Sequence, residues 1–181
     1  MILLTFGVIL WAVAHYFKRL APDARARMGN RGKGLVALAI VASLLMMIFG
    51  YREAEFIHVW SPPSWTVHLN NLMMLIAVFV YGMSATTGRL RGKMRHPQLT
   101  AVKIWAEAHL LVNGDLASII LFGGLLAWAV GSVILINRSE TWVRPKPGNP
   151  KKDVLLVVIT LVLFGVMTAI HAWLGVWPFP G

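Results

Sequence analysis

A chain of 181 residues that is 57% hydrophobic and only 13% charged is too apolar for a soluble domain. Its net charge of +10 does not mark a nucleic-acid surface, because the basic residues fall between long uncharged runs. The absence of cysteine excludes disulfides, iron–sulfur clusters, thiolate-ligated haem and covalent haem attachment, leaving histidine, carboxylate or thioether for any metal.

Six apolar segments follow one another: Met1 to Phe17, Gly34 to Gly50, Val67 to Thr87, Pro97 to Val112, Leu116 to Ile136 and Val154 to Trp177. Crossing a hydrocarbon core of about 30 Å takes roughly 20 residues of helix. The fold class predicted is therefore all-α, a polytopic transmembrane bundle of six helices forming a single domain over residues 1–181. The fourth segment is the least apolar, since it carries Lys103, Glu107 and His109. The alternative is accordingly five crossings with this segment interfacial or re-entrant.

The basic residues decide sidedness. Lys18, Arg19, Arg25, Arg27, Arg31 and Lys33 follow the first segment, and Arg89, Arg91, Lys93 and Arg95 follow the third. Arg138, Arg144, Lys146, Lys151 and Lys152 follow the fifth. The positive-inside rule makes these three loops cytoplasmic, with both termini facing the periplasm or its equivalent. Ala12-Val13-Ala14 has the small residues of a signal-peptidase site, but no basic stretch precedes the apolar run and a strongly basic one follows it, so retention is expected.

Punctuation between the segments is ordinary. Ser61-Pro62-Pro63-Ser64 and the stretch Arg144 to Pro150 break loops, Asn113-Gly114-Asp115 reads as a tight turn, and Asp115 is placed to cap the fifth helix. Gly123, Ala127 and Gly131 recur every fourth residue, a stripe expected to pack against another helix. Trp60, Trp65 and Trp177 near segment ends read as interface anchors. Trp11-Ala-Val-Ala-His15 is echoed by Trp105-Ala-Glu-Ala-His109, the relation an inverted repeat would produce, although so short a match carries little weight alone.

Ionisable groups at membrane depth are expensive and therefore informative. Lys103 and Glu107 stand four apart on one helical face and are expected to pair. His109 lies about 200° round the axis from Glu107 and looks elsewhere. His58 and His68 sit by a loop and read as packing groups, whereas His15, His109 and His171 sit inside apolar helices. Neutral imidazole there is a natural ligand for haem iron or another transition metal.

The block Arg95-His96-Pro97-Gln98, then Trp105-Ala-Glu-Ala-His109-Leu-Leu-Val-Asn-Gly-Asp115 and Leu121-Phe122-Gly123, resembles the NnrU family of integral membrane proteins. The resemblance extends to His15 with the proline- and arginine-bearing segment after it, and to His171. It implies a role in nitrogen-oxide or denitrification-linked redox metabolism. Plant relatives in the family are zeta-carotene cis–trans isomerases that hold haem b non-covalently, and the positions matching their ligands are His15 and His109. His96 matches a further family histidine. A cysteine of those isomerases falls at Ala106 here, which weighs against isomerisation of a polyene.

The resemblance thus makes His15, His109, His96 and His171 candidate cofactor-binding residues, His15 and His109 candidate iron ligands, and haem b the cofactor. Depth along the helices leaves the pairing open. His15 and His109 differ by roughly 10 to 15 Å along the membrane normal, so His109 with His171, or His15 with His96, are alternative pairs, the latter with Arg19 and Arg95 near the propionates. The lipid bilayer is the expected environment and a lipophilic small molecule the expected ligand; a cofactor-free scaffold or transport protein is the remaining alternative. If the loop from Arg138 to Lys152 is cytoplasmic, a cysteine at Ser139 will resist a membrane-impermeant thiol reagent in intact cells; ready labelling there favours five crossings and overturns the depth assignments.

Overall fold

The computed structural model describes residues 1–179, and every regular element among them is helical. The helices are α1 (Ile2–Leu20), the short α2 (Pro22–Arg27), α3 (Gly29–Arg52), α4 (Thr66–Gly82), α5 (Pro97–Val112), α6 (Leu116–Ser139) and α7 (Lys151–Trp173). All six apolar segments of the sequence become helices, and α5 has the bounds expected. By length and composition α1, α3, α6 and α7 can each cross a membrane. α4 is apolar with 17 residues, and α5 with 16 residues is about 24 Å long.

The chain forms two compact units. The first comprises Met1–Ser61 and Asn113–Ser139; the second comprises Pro62–Val112 and Glu140–Gly181. The chain passes from the second to the first between Val112 and Asn113, inside the block that resembles the NnrU family.

In the first unit, α1 and α3 meet through glycine. A Cβ added at Gly50 would sit 2.5 Å from the backbone nitrogen of Leu4, and one at Gly7 would sit 2.9 Å from that of Met47. Small residues replace side-chain bulk by backbone-to-backbone approach, the main source of helix association where lipid removes the hydrophobic drive. Leu4 and Ser43 are fully buried at this seam, and Ser43 Oγ donates to Ile40 O at 2.7 Å, so the buried hydroxyl is satisfied.

α6 corrects an expectation. Its second turn, Ile119–Gly123, is π-helical. The expected stripe of Gly123, Ala127 and Gly131 is not the packed face: a Cβ at Gly123 would meet nothing within 4 Å, and Ala127 is exposed. Gly124 lies against Val8, and Gly131 against the Tyr16 ring and hydroxyl. The reason is geometric. A four-residue step turns an α-helix by about 400°, so the stripe drifts by about 80° over its length, and only Gly131 falls on the face that Gly124 shares.

The second unit has a core of Val80, Met83, Ala101 and Leu156, from α4, α5 and α7, with Leu90 and Met94 packed on it from the intervening loop. On α7 only Leu156 and Thr160 are buried, while Val154, Leu155, Val157, Val158 and Ile159 are exposed. A narrow apolar stripe facing protein and a broad apolar face beyond it is what a lipid-facing helix presents. The loops before α5 and before α7 are bonded together: Arg144 Nε donates to Gly92 O at 2.7 Å, Gly148 N to Gly88 O at 3.1 Å, and Arg95 to Glu140 O. The Asp153 carboxylate accepts from the backbone N–H groups of Arg89 and Leu90 at 2.9 and 3.3 Å. These two loops are consequently held side by side.

Replacing Gly50 by leucine forces α1 and α3 apart, and overpacking of this kind costs about 1–3 kcal/mol. Gly50→Leu is expected to lower the melting temperature in detergent clearly, while Gly123→Leu leaves it nearly unchanged; equal melting of the two variants contradicts the packing described.

Candidate functional site

Three imidazoles lie within apolar helices, and the same local bond holds each. His15 Nδ1 lies 2.8 Å from Trp11 O on α1, His109 Nδ1 lies 2.9 Å from Trp105 O on α5, and His171 Nδ1 lies 2.7 Å from Met167 O on α7. A carbonyl oxygen only accepts, so Nδ1 carries the proton and donates in all three. Neutral imidazole has one N–H and one lone pair; with the proton on Nδ1, the lone pair is on Nε2. Histidines that ligate a metal are usually oriented in this way, the second nitrogen fixed by a carbonyl or carboxylate.

The two Trp-x-x-x-His stretches fold alike. In α1 the His15 and Trp11 ring centroids are 4.3 Å apart; in α5 those of His109 and Trp105 are 5.2 Å apart. The echo in the sequence thus has a local physical meaning: a residue four back supplies both a carbonyl and an aromatic face. His15 gains a third partner that sequence reasoning missed, Trp128 of α6, whose ring centroid is 4.9 Å away and which stands edge-on to Trp11 at 5.4 Å. The indole nitrogens of Trp11 and Trp128 are buried without a hydrogen-bond partner. Tyr16 Oη donates to Trp128 O at 2.7 Å, tying the cluster to α6.

The division into units sorts the candidates. His15 belongs to the first unit; His109, His96 and His171 belong to the second. Within the second unit His109 lies on α5 and His171 on α7. His96 caps the opposite end of α5, where its carbonyl accepts from Thr100 N at 2.9 Å. Thirteen residues of helix put it about 20 Å from His109 along the axis, too far to share an iron. His58 Nε2 pairs with Ser61 Oγ at 3.0 Å, and His68 is exposed. Glu107 is exposed, and no ion pair between it and Lys103 is present among the described residues, so that expected pairing is not formed. No cluster of three or more His, Cys, Asp or Glu side chains suited to an ion occurs among the described residues.

Asp115 does what its position predicts. Its carboxylate accepts from Ser118 N at 2.9 Å and from Ser118 Oγ at 2.6 Å. Ser118 Oγ, having given its proton to Asp115, accepts from Tyr51 Oη at 2.9 Å. The turn itself is clamped to the loop after α3, with Val59 N donating to Gly114 O at 2.8 Å and Leu116 N to Ile57 O at 2.9 Å.

Helices of membrane-crossing length with pinned imidazoles inside them define a polytopic α-helical membrane protein. Within that class the chain belongs to the NnrU family, whose model, described as NnrU protein, matches residues 3–178. No curated protein and no solved structure matches it.

Asp115→Ala removes a cap and strands the Ser118 hydroxyl and backbone N–H, at a cost of about 1–3 kcal/mol. Asp115→Asn keeps a capping oxygen and is expected to melt between the alanine variant and the parent; an alanine variant as stable as the parent refutes the capping role.

Proposed function

We propose that this NnrU family protein holds haem b non-covalently in the bacterial inner membrane and acts in nitrogen-oxide or denitrification-linked redox metabolism. The observation that carries the reading is that His109 and His171, two imidazoles of one unit, each have Nδ1 committed to a helix carbonyl. His109 and His171 would hold the iron, with Trp105 packed beside the His109 ring. When bound, the haem supplies one-electron redox chemistry. The chain's part is to hold the two rings in fixed tautomers and to keep water out with apolar helices. His15, the other ligand position implied by family resemblance, offers the same pinned imidazole in the other unit, between Trp11 and Trp128. Ala106, with no exposed surface, stands where the isomerase relatives carry a thiol, which favours a redox role over polyene isomerisation.

Sidedness follows the basic loops. Those of 83–96 and 140–150 are bonded into one layer, which supports placing both in the cytoplasm and both termini in the periplasm.

The test is a reduced-minus-oxidised spectrum of protein purified after expression with ample haem, compared with His109→Ala, His171→Ala and His15→Ala at matched membrane insertion. A b-type spectrum that disappears in the first two and persists in the third is the expected result. Loss with His15→Ala and retention with His171→Ala moves the second ligand to α1, and a parent without haem overturns the reading.

A further inference from the structure

Residues 83–96 and 140–153 of the second unit carry eight Lys or Arg side chains and two carboxylates, Glu140 and Asp153. Two of the cations are committed to backbone: Arg95 donates to Glu140 O and Arg144 to Gly92 O. Arg89, Arg91, Lys93, Lys146, Lys151 and Lys152 are exposed, and none of them forms an ion pair among the described residues. Confinement to one side of a membrane accounts for the sign of these loops. It does not require them to be locked together, and they are: a Cβ at Gly88 would collide with the Asp153 carboxylate, and one at Gly148 with Thr87 O.

α7 sorts its first turns by face. Asp153, Leu156 and Thr160 follow one another at helical spacing on the side that meets protein, where the Asp153 carboxylate accepts from the N–H groups of Arg89 and Leu90. Lys151, Val154, Leu155 and Val158, at i, i+3, i+4 and i+7, share the other side and are all exposed. A cation thus stands at the head of a bare apolar stripe about 10 Å long. The loop leading into α7 adds Val143, 84% exposed, and Trp142 with the Arg144 guanidinium 5.6 Å from its ring centroid, the kind of aromatic and basic pairing found at a headgroup layer. A soluble polyanion would meet the charge and leave the stripe bare, and hydrocarbon alone would do the reverse. One molecule with a negative head and apolar tails meets both.

We propose that the cationic rim at the start of α7 binds an anionic phospholipid, its phosphate held by Lys151 and Lys152 with Arg89 beside them and its acyl chains lying along Val154, Leu155 and Val158. Each basic residue at a membrane surface adds to the attraction for an anionic headgroup, and cations carried on bonded backbone need less ordering on binding than cations on a mobile loop. Twenty residues of α7, about 30 Å, separate Lys151 from His171, so the inference stands apart from the haem reading.

Retention is measured by native mass spectrometry of the full chain in detergent, titrated with phosphatidylglycerol and with phosphatidylcholine of the same acyl chains. Phosphatidylglycerol is expected to bind about tenfold more tightly. Arg89→Gln/Lys151→Gln/Lys152→Gln is expected to bring it down to the phosphatidylcholine level, and Lys151→Arg/Lys152→Arg to keep it. The equal neutralisation Arg27→Gln/Arg31→Gln/Lys33→Gln in the first unit is expected to leave it unchanged. Equal binding of the two lipids by the parent, or an undiminished preference in the first triple variant, overturns the proposal. So does equal loss in the two triple variants, which makes the preference one of net charge, or displacement by glycerol 3-phosphate as effective as by the lipid, which makes the site one for free phosphate. If the first triple variant fails to insert, the two lipids on the parent and the glycerol 3-phosphate competition still decide.

Discussion

The hydrogen bond from an imidazole Nδ1 to the carbonyl four residues back is the interaction around which the second unit's chemistry is arranged. In hydrocarbon each polar atom has to find its partner within the protein, and an imidazole has two nitrogens to place. His15, His109 and His171 place the first at no cost to the helix, since a carbonyl has two lone pairs and one still serves the backbone ladder. What remains is a nitrogen whose identity, tautomer and direction along the helix are already decided.

Glycine supplies the complementary constraint on the first unit. Where α1 and α3 touch, backbone meets backbone at Gly7 and Gly50, so their separation is set by covalent geometry and hardly by side-chain choice. The broad exposed apolar faces of these helices, such as Phe6, Ile9 and Val13 on α1, are left to the solvent around them. The same division appears on α7, whose protein-facing stripe is one residue wide per turn.

Much of this was legible in the sequence, and for a physical reason. A hydrocarbon core demands a run of apolar residues of fixed length, so all six segments stand out, and the bounds of α5 follow from Pro97 at one end and Asn113-Gly114 at the other. Asp115 as a cap follows equally from local chemistry. Errors began where an answer depended on a neighbour. The glycine stripe of α6 was spaced correctly but drifted off its face, and no residue pattern announced the π turn at Ile119–Gly123. Lys103 and Glu107 have the spacing of a pair without the contact. Trp128 beside His15, and a buried, unpartnered hydroxyl at Thr160, have no signature one residue at a time; both are products of three-dimensional assembly.

The stretch from Trp105 to Asp115 answers to two masters. His109 is oriented within the second unit, by its own helix and beside α7, while Asp115, six residues on, is oriented within the first by Ser118, Tyr51 and the loop after α3. Each can tolerate exchange of its neighbours for others of like size. Within eleven residues the chain thus carries two local instructions, one that fixes an imidazole's tautomer and one that starts a helix, and each is carried out inside its own unit.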